Sequence, residues 1–270
     1  MMVELKKIKI KSINKTIIHR VYDNINNILY KNPLYKEQDL LIAYNMAKDI
    51  ITKILNNQKL EHNLFKRGNH KLEPNVLIWD LPVGITCKGI CKSCYALKAE
   101  RIYKNTRIMR LYHLFLIEYA TYSSMFKRKL LTYMHNELQK HFISCKNKKM
   151  LSICRIHSAG DIYSKSYKDF ITELVKCNKN INFYTYTKVL SYNEIRLINS
   201  TYNNFNIVSS LIAGRFINYG DTEHIKKIVE YCKKNNIPLF VCDYGNTSAS
   251  TCMGTCKACL YHTNVCFKIH

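Results

Sequence analysis

Short apolar segments alternate with helical segments from Pro74 towards the C-terminal end of this 270-residue chain. The expected strands cover residues 76–81, 150–157, 181–187, 206–212 and 237–242. This alternation favours parallel βαβ units, because two parallel strands need a crossover connection that a helix supplies. We therefore expect an α/β fold, most simply a partial (β/α) barrel of the TIM type, with ligands at the carboxyl ends of the strands.

The chain is expected to have three parts. Residues 1–75 are predicted to form a small, basic N-terminal α+β part, with a strand over 3–11 and a helix between Pro33 and Asn56. Residues 76–241 would form the partial barrel, and residues 242–270 a cysteine-rich, metal-binding C-terminal extension.

Helix starts are predicted at two boxes in which a serine precedes an acidic residue by three positions. Ser166 with Asp169 and Ser191 with Glu194 each have this capping-box spacing. After the first strand, helical chain is expected from about Ala96 to Phe142.

Two cysteine triplets share the spacing C-x3-C-x2-C. They are Cys87, Cys91 and Cys94 after the first strand, and Cys252, Cys256 and Cys259 near the C-terminal end. Such spacings let one tight loop direct three thiolates at a zinc ion or an iron–sulfur cluster. Since the chain does not begin with a secretory signal, its 12 cysteines are expected to stay reduced.

The two triplets differ in the cysteines around them. The first has no fourth cysteine nearby, which leaves one metal position open, as in a 4Fe-4S cluster that binds S-adenosylmethionine. The second has Cys242 as the favoured fourth ligand and Cys266 as the alternative, so it would close around zinc or a second 4Fe-4S cluster. The remaining cysteines are expected to be buried and inert; they are Cys145, Cys154, Cys177 and Cys232.

Lysine and arginine total 42 against 19 acidic residues, a formal charge of +23. This excess indicates either a nucleic acid or another anionic partner, or the coding bias of an AT-rich genome. Five basic residues would give the helix after the first triplet a basic face, either solvated or holding an anionic substrate; they are Lys98, Arg101, Lys104, Arg107 and Arg110. No apolar run is long enough to span a membrane, so we expect a soluble protein of the cytoplasm, that of a host cell if a phage encodes it.

Several motifs resemble the phage gene product 88 family over residues 76–270. They are Leu81-Pro82-Val83-Gly84-Ile85-Thr86-Cys87, Cys94-Tyr95-Ala96, Arg155-Ile156-His157 with Gly160-Asp161, Tyr186-Thr187-Lys188, and the C-terminal Cys256-Lys257-Ala258-Cys259. The resemblance implies a phage or mobile-element protein more than it implies an activity.

The Cys-Tyr-Ala motif is also similar to that of radical S-adenosylmethionine enzymes. This similarity implies a 4Fe-4S cluster on the first triplet, with S-adenosylmethionine contacted by Tyr95, by Ser158, Gly160 and Asp161 after the second strand, and by Ser209. Those enzymes usually place an aromatic residue before the third cysteine, where this chain has Ser93. A structural alternative is that Gly160 ends a strand and Asp161 caps the next helix.

The functional expectation is a radical S-adenosylmethionine-like enzyme that uses an external electron donor. It would form a 5′-deoxyadenosyl radical to modify a nucleic acid or nucleotide. His157 and Lys188, at the ends of the second and third strands, are candidates for substrate contact or proton transfer, although His157 equally fits a hydrogen-bonded core histidine. The alternative is a non-catalytic phage protein that binds nucleic acid and holds structural zinc or iron–sulfur centres.

Overall fold

A computed structural model describes most of the N-terminal and central chain and short segments beyond it. The described residues are 12–29, 34–69, 72–87, 94–211, 230–231, 234–235, 239–243 and 265–268. For residues 239–243 and 265–268, the strand pairing of the backbone is described.

From residue 72 to residue 211, strands alternate with helical segments as the periodicity predicts. The helices are α1 Lys15–Leu29, α2 Glu37–Leu55, α3 Tyr95–Ile102, α4 Lys104–Tyr122, α5 Ser124–Asn147, α6 Lys165–Cys177 and α7 Tyr192–Thr201. The strands are β1 Lys66–Asn69, β2 Leu72–Trp79, β3 Ile153–Ile156, β4 Asn182–Thr187, β5 Phe205–Leu211, β6 Leu239–Asp243 and β7 Val265–Lys268.

The seven strands of the described residues belong to one sheet, in the spatial order β1-β2-β3-β4-β5-β6-β7. Strand β1 pairs antiparallel with β2, and each later pair is parallel. The expected α/β class is confirmed, but the sheet is mixed and is not closed into a barrel, since β1 and β7 lie at its opposite edges. The antiparallel β1 is not among the strands expected from the apolar segments.

The two faces of the sheet carry different residues, because successive side chains of a strand point to opposite faces. On one face, Trp79, Ile156 and Phe183 belong to the main apolar cluster, which they share with the helices. On the other face, Val76, Ile78, Ile153 and Tyr184 form a separate cluster whose described members all come from strands.

The N-terminal helices share the main apolar cluster with the sheet. Apolar residues recur every three or four positions along α1, at Ile18, Val21, Ile25 and Leu29, and this stripe is buried. Helix α2 packs mainly against α4. The described elements before β1 are the helices α1 and α2, and the strand expected over residues 3–11 lies outside the described residues.

Local capping sets the ends of several helices. Ser191 and Glu194 form the predicted capping box at the start of α7. For α6 the prediction is wrong by two residues: Ser164, not Ser166, is the N-cap and accepts a hydrogen bond from the Tyr167 amide.

The helical chain expected between residues 96 and 142 is divided into three helices. Tyr103 and Ser123 have extended backbones, and they separate α3, α4 and α5. Within the part of the chain that the structure describes, none of the helices combines the length and the apolar character needed to cross a bilayer.

Candidate functional site

The predicted site residues after β2, β3 and β4 lie at the same edge of the sheet. The loop to Cys87 follows β2, the turn from Ser158 to Asp161 follows β3, and Lys188 follows β4. Because these strands are parallel and adjacent, their carboxyl ends meet there. Ser209 lies in β5 in register with Thr187, the last residue of β4.

The turn after β3 packs directly against the cysteine loop at Gly160. The residue has φ +86°, and a Cβ atom there would lie 2.7 Å from both Leu81 Cβ and Thr86 Oγ1. The Leu81 amide donates to the Ala159 carbonyl at 3.0 Å, and the Asp161 amide donates to Thr86 Oγ1 at 3.3 Å. Glycine is needed here for both backbone conformation and space, so the contact orients the chain that enters Cys87.

Asp80 binds the same turn through its buried carboxylate. It accepts hydrogen bonds from the Ser158 amide at 2.6 Å, from the Ser158 hydroxyl and from the Ala159 amide at 3.0 Å. Burial opposes ionisation of Asp80, but the Arg110 charge and these hydrogen bonds outweigh it and lower its pKa. Asp80 belongs to none of the sequence motifs, although a carboxylate directly after a buried strand is a detectable signal.

Asp161 connects the turn after β3 to the end of β4. Its carboxylate accepts from Thr187 Oγ1 at 2.6 Å, from the Lys188 amide at 2.8 Å and from the Ile162 amide at 2.7 Å. Burial raises its pKa, while these donors and the Lys188 charge act in the opposite direction. Asp161 therefore holds two strand ends together, and its own amide bonds Thr86 of the cysteine loop.

The first and last cysteines of the first triplet carry reduced thiols on this loop. Burial raises the pKa of Cys87 to about 11; a Gly84 backbone hydrogen bond lowers it, and a negative charge on Asp161 or Cys94 raises it. Lys188 lowers it. The Cys87 thiol thus lies within electrostatic range of Cys94, Asp161 and Lys188.

Cys91 lies outside the described residues, as do Cys252, Cys256 and Cys259. The described ranges contain no group of three His, Cys, Asp or Glu side chains able to hold a metal ion. Two members of the first triplet are therefore placed at the edge, and the full triplet stays a prediction.

Two arginines that were expected on a basic helix face are instead buried in ion pairs, so that prediction is wrong for them. Arg110 contacts Glu100 at 2.9 Å and Asp80 at 3.3 Å, and Arg107 contacts Asp39 at 2.8 Å. The remaining members of that face, Lys98, Arg101 and Lys104, are exposed. The correction arises because α4 packs against α2 and α3, which bring the carboxylates of Asp39 and Glu100 opposite it.

The same buried network holds the start of the cysteine loop. Glu100 accepts a hydrogen bond from the Val83 amide at 3.1 Å, and the Tyr35 hydroxyl contacts Glu100 at 2.5 Å and the Val83 carbonyl at 2.9 Å. Burial raises the pKa of Glu100 against the opposing effect of Arg110. These residues carry no short-range sequence signal, because their partners are 10 to 65 positions away.

His157 is buried beneath the edge rather than facing solvent. Its Nε2 lies 2.7 Å from the Tyr167 hydroxyl, which also accepts a hydrogen bond from Trp79 Nε1 at 3.1 Å. Burial lowers the His157 pKa to about 3, so the ring is neutral near pH 7. This environment favours the role of a hydrogen-bonded core histidine over that of a group for substrate contact or proton transfer.

Several other residues that the sequence singled out lie on described helices and strands. Tyr95 is the first residue of α3, directly after Cys94. Cys242 lies in β6 in register with Phe267, and Cys266 lies in β7 in register with Val241, so the alternative fourth ligands are one register position apart. Of the isolated cysteines, Cys145 and Cys154 are buried as expected, but Cys177 at the end of α6 is exposed.

The fold and this edge define an α/β protein with consecutive parallel strands and a cysteine loop at their carboxyl ends. A family model described as Gene product 88 matches residues 50–227. Because this match covers more than half of the chain, the protein belongs to the Gene product 88 family, the phage family that its motifs resemble. No curated protein and no solved structure matches the chain.

The matched region differs in extent from the one expected from motifs. It begins within α2 rather than at residue 76, and it ends before the second cysteine triplet. The first triplet and the turns after β3 and β4 all lie inside it.

Proposed function

We propose that this protein is a radical S-adenosylmethionine-like iron–sulfur enzyme that modifies a nucleic acid or nucleotide. The observation that carries the proposal is the meeting of the cysteine loop with the Ser158–Asp161 turn at the carboxyl edge of parallel strands. Six parallel strands in sequential order, β2 to β7, are also consistent with an open, partial barrel of that enzyme type.

The described residues fit an iron–sulfur cluster in their donor chemistry. Cys87 and Cys94 are reduced, lie on one short loop and interact electrostatically. Burial raises the pKa of Cys87 to about 11, and Lys188 acts in the opposite direction, towards the thiolate that iron binds. Cys91 would be the third ligand.

The chain's own residues would bind and orient S-adenosylmethionine. Asp161 and Ser158 would face the ammonium group of the cofactor, with Gly160 between them, while Ser209 and Tyr95 would contact its remaining parts. The cluster and cofactor, when bound, supply a one-electron reduction that cleaves a sulfonium bond. Three further residues have a structural role: Asp80 holds the turn after β3, and Glu100 and Tyr35 hold the start of the cysteine loop. These contacts exist before any ligand binds.

The second triplet, with Cys242 or Cys266, would hold zinc or a second 4Fe-4S cluster. An external donor would supply the electron. The proposed partner is an anionic substrate, which the charge of +23 supports.

Anaerobic purification followed by iron and sulfide analysis tests the proposal. We expect iron and sulfide in the full chain, and release of 5′-deoxyadenosine from S-adenosylmethionine after reduction by dithionite. Cys91→Ala should abolish this cleavage without unfolding the chain, and the exposed Cys177→Ala is the matched control that should retain it. Cys256→Ala should mainly lower stability.

A non-catalytic nucleic-acid-binding protein with structural zinc is the second candidate, and the large positive charge favours it. A colourless protein that contains zinc and does not bind S-adenosylmethionine would support this candidate and overturn the enzyme proposal.

A further inference from the structure

The sheet face opposite the helices carries an arginine and two tyrosines on neighbouring strands. Arg155 of β3 is in register with Tyr184 of β4, so both side chains lie on the same face, and Tyr186 follows two positions later. Beside them on the same face lie the apolar residues Ile78, in register with Arg155, and Ile153. We call Arg155, Tyr184 and Tyr186 the sheet-face cluster.

The members of the sheet-face cluster hold one another in position. The Arg155 guanidinium carbon lies 5.8 Å from the Tyr184 ring centre and 5.4 Å from that of Tyr186. The two rings meet edge to face at 6.1 Å, and Arg155 Nε donates to the His157 carbonyl at 3.4 Å. The cluster is therefore ordered before a ligand arrives, which reduces the entropy cost of binding.

The sheet-face cluster combines flat aromatic surface with positive charge, and two of its three side chains are accessible to solvent. Arg155 and Tyr186 are partly exposed, whereas Tyr184 is buried. Tyr186 is two residues before Lys188, whose charge acts on Cys87 and Asp161. A ring stacked on this cluster would thus lie near the edge that bears the cysteine loop, between a guanidinium and an ammonium group.

We propose that the sheet-face cluster is a stacking site for one base of single-stranded nucleic acid, with the neighbouring phosphates drawn to Arg155 and Lys188. Bases stack on tyrosine and arginine planes irrespective of sequence, and cations beside them contact the phosphates. A duplex offers no separated base to such a surface, so an unpaired strand is the chemical match. This inference rests on the proposed function for its substrate class, but it concerns binding and needs neither cluster nor cofactor.

The direct test is fluorescence anisotropy of the full chain with labelled oligothymidylate and oligouridylate of about 12 nucleotides, and with a duplex of the same length. The two single strands distinguish DNA from RNA as the source of the base. We expect both the Tyr186→Leu and the Arg155→Ala variants to weaken single-strand binding about ten-fold, and Tyr186→Phe to retain it.

A second arginine–tyrosine pair provides the matched control. Arg20 lies 5.2 Å from the ring centre of Tyr122, which is exposed on α4 in the helical layer. Tyr122→Leu and Arg20→Ala should leave binding unchanged, and thermal melting should show every variant folded.

Three outcomes would overturn the stacking site. They are no binding by the parent protein, equal binding by the parent and a folded Tyr186→Leu variant, and equal weakening by Tyr186→Leu and Tyr122→Leu. Cofactor cleavage is measured separately on the same variants. A parent protein that cleaves the cofactor but binds no single strand rejects this inference alone, and a parent protein that binds single strands through Tyr186 but does not cleave the cofactor rejects the enzyme proposal alone.

Discussion

Gly160 occupies the position where the turn after β3 comes closest to the cysteine loop. Its left-handed backbone and the contacts of 2.7 Å that a Cβ atom would make leave no room for a side chain. We expect Gly160→Ala to lower the free energy of unfolding by about 2 kcal/mol or more, because both strain and overpacking act against it.

Urea denaturation of this variant would measure the effect, with Gly68→Ala in β1 as the control, since Gly68 is not among the positive-φ glycines. Equal stability of the Gly160→Ala variant and the parent protein would contradict the close packing of turn and loop.

Asp80 is the carboxylate on which the turn and Arg110 both depend. Asp80→Asn removes the charge that faces Arg110 at 3.3 Å and replaces one acceptor oxygen by a donor. A loss of about 2–3 kcal/mol in unfolding free energy is expected, because removal of one partner leaves a buried charge less well paired. The loss is limited because Arg110 stays paired with Glu100.

The control for this substitution is Asp169→Asn, which breaks an exposed pair with Lys165. Chemical denaturation should show a change of less than about 1 kcal/mol for it. If both variants lost the same stability, the buried network would not hold the loop as described.

At the level of elements, the start of α6 has two nearby serines, Ser164 and Ser166, and only one of them caps the helix. Ser164 has the extended backbone of an N-cap and bonds the Tyr167 amide, whereas Ser166 is exposed within the first turn. Ser164→Ala should therefore cost about 1 kcal/mol of stability. Ser166→Ala should change it by less than about 0.5 kcal/mol, since an exposed substitution away from a cap has little effect. Thermal melting of the two single variants decides between the two caps, and the reverse order of effects would support the sequence-based box.

The elements also show how far periodicity predicts this fold. The four strand centres at β3, β4, β5 and β6 agree with the apolar segments, because a buried strand needs a run of apolar residues wherever it packs. The β1 strand escaped prediction because Lys66, Arg67 and Gly68 are typical of a solvated turn, and its pairing depends on β2. The breaks at Tyr103 and Ser123 were missed because the apolar pattern continues across them.

For the whole molecule, buried histidines make stability depend on pH. Burial lowers the folded-state pKa of His157 to about 3 and that of His113 to about 4. Both lie below the value of about 6.5 for an unfolded histidine, so the unfolded chain takes up these protons first. The stability is complete above about pH 6.5 and is lost as the pH falls towards 3, at about 2 kcal/mol per histidine between pH 7 and pH 5.

His157→Asn tests this linkage, since asparagine tolerates the φ of 65° at this position. The substitution should destabilise the protein less at pH 5 than at pH 7, by about 2 kcal/mol in urea denaturation. The exposed His62→Asn is the matched control. An equal cost of His157→Asn at both pH values would show that His157 does not resist protonation in the fold.

By itself, the sequence determined the α/β class, the alternation of strands and helical segments from β2 to β5, the phage family and the position of the first cysteine triplet after a strand. These features depend on local periodicity and on short motifs, which are complete within a few residues. The tertiary structure decided that the sheet stays open, that Arg107 and Arg110 pair with buried carboxylates, and that Asp80 and Gly160 set the turn against the cysteine loop. The physical reason is that burial and charge pairing depend on which distant segments pack together. For this reason Arg107 and Arg110 are buried and paired with carboxylates, although the chain as a whole is rich in lysine and arginine.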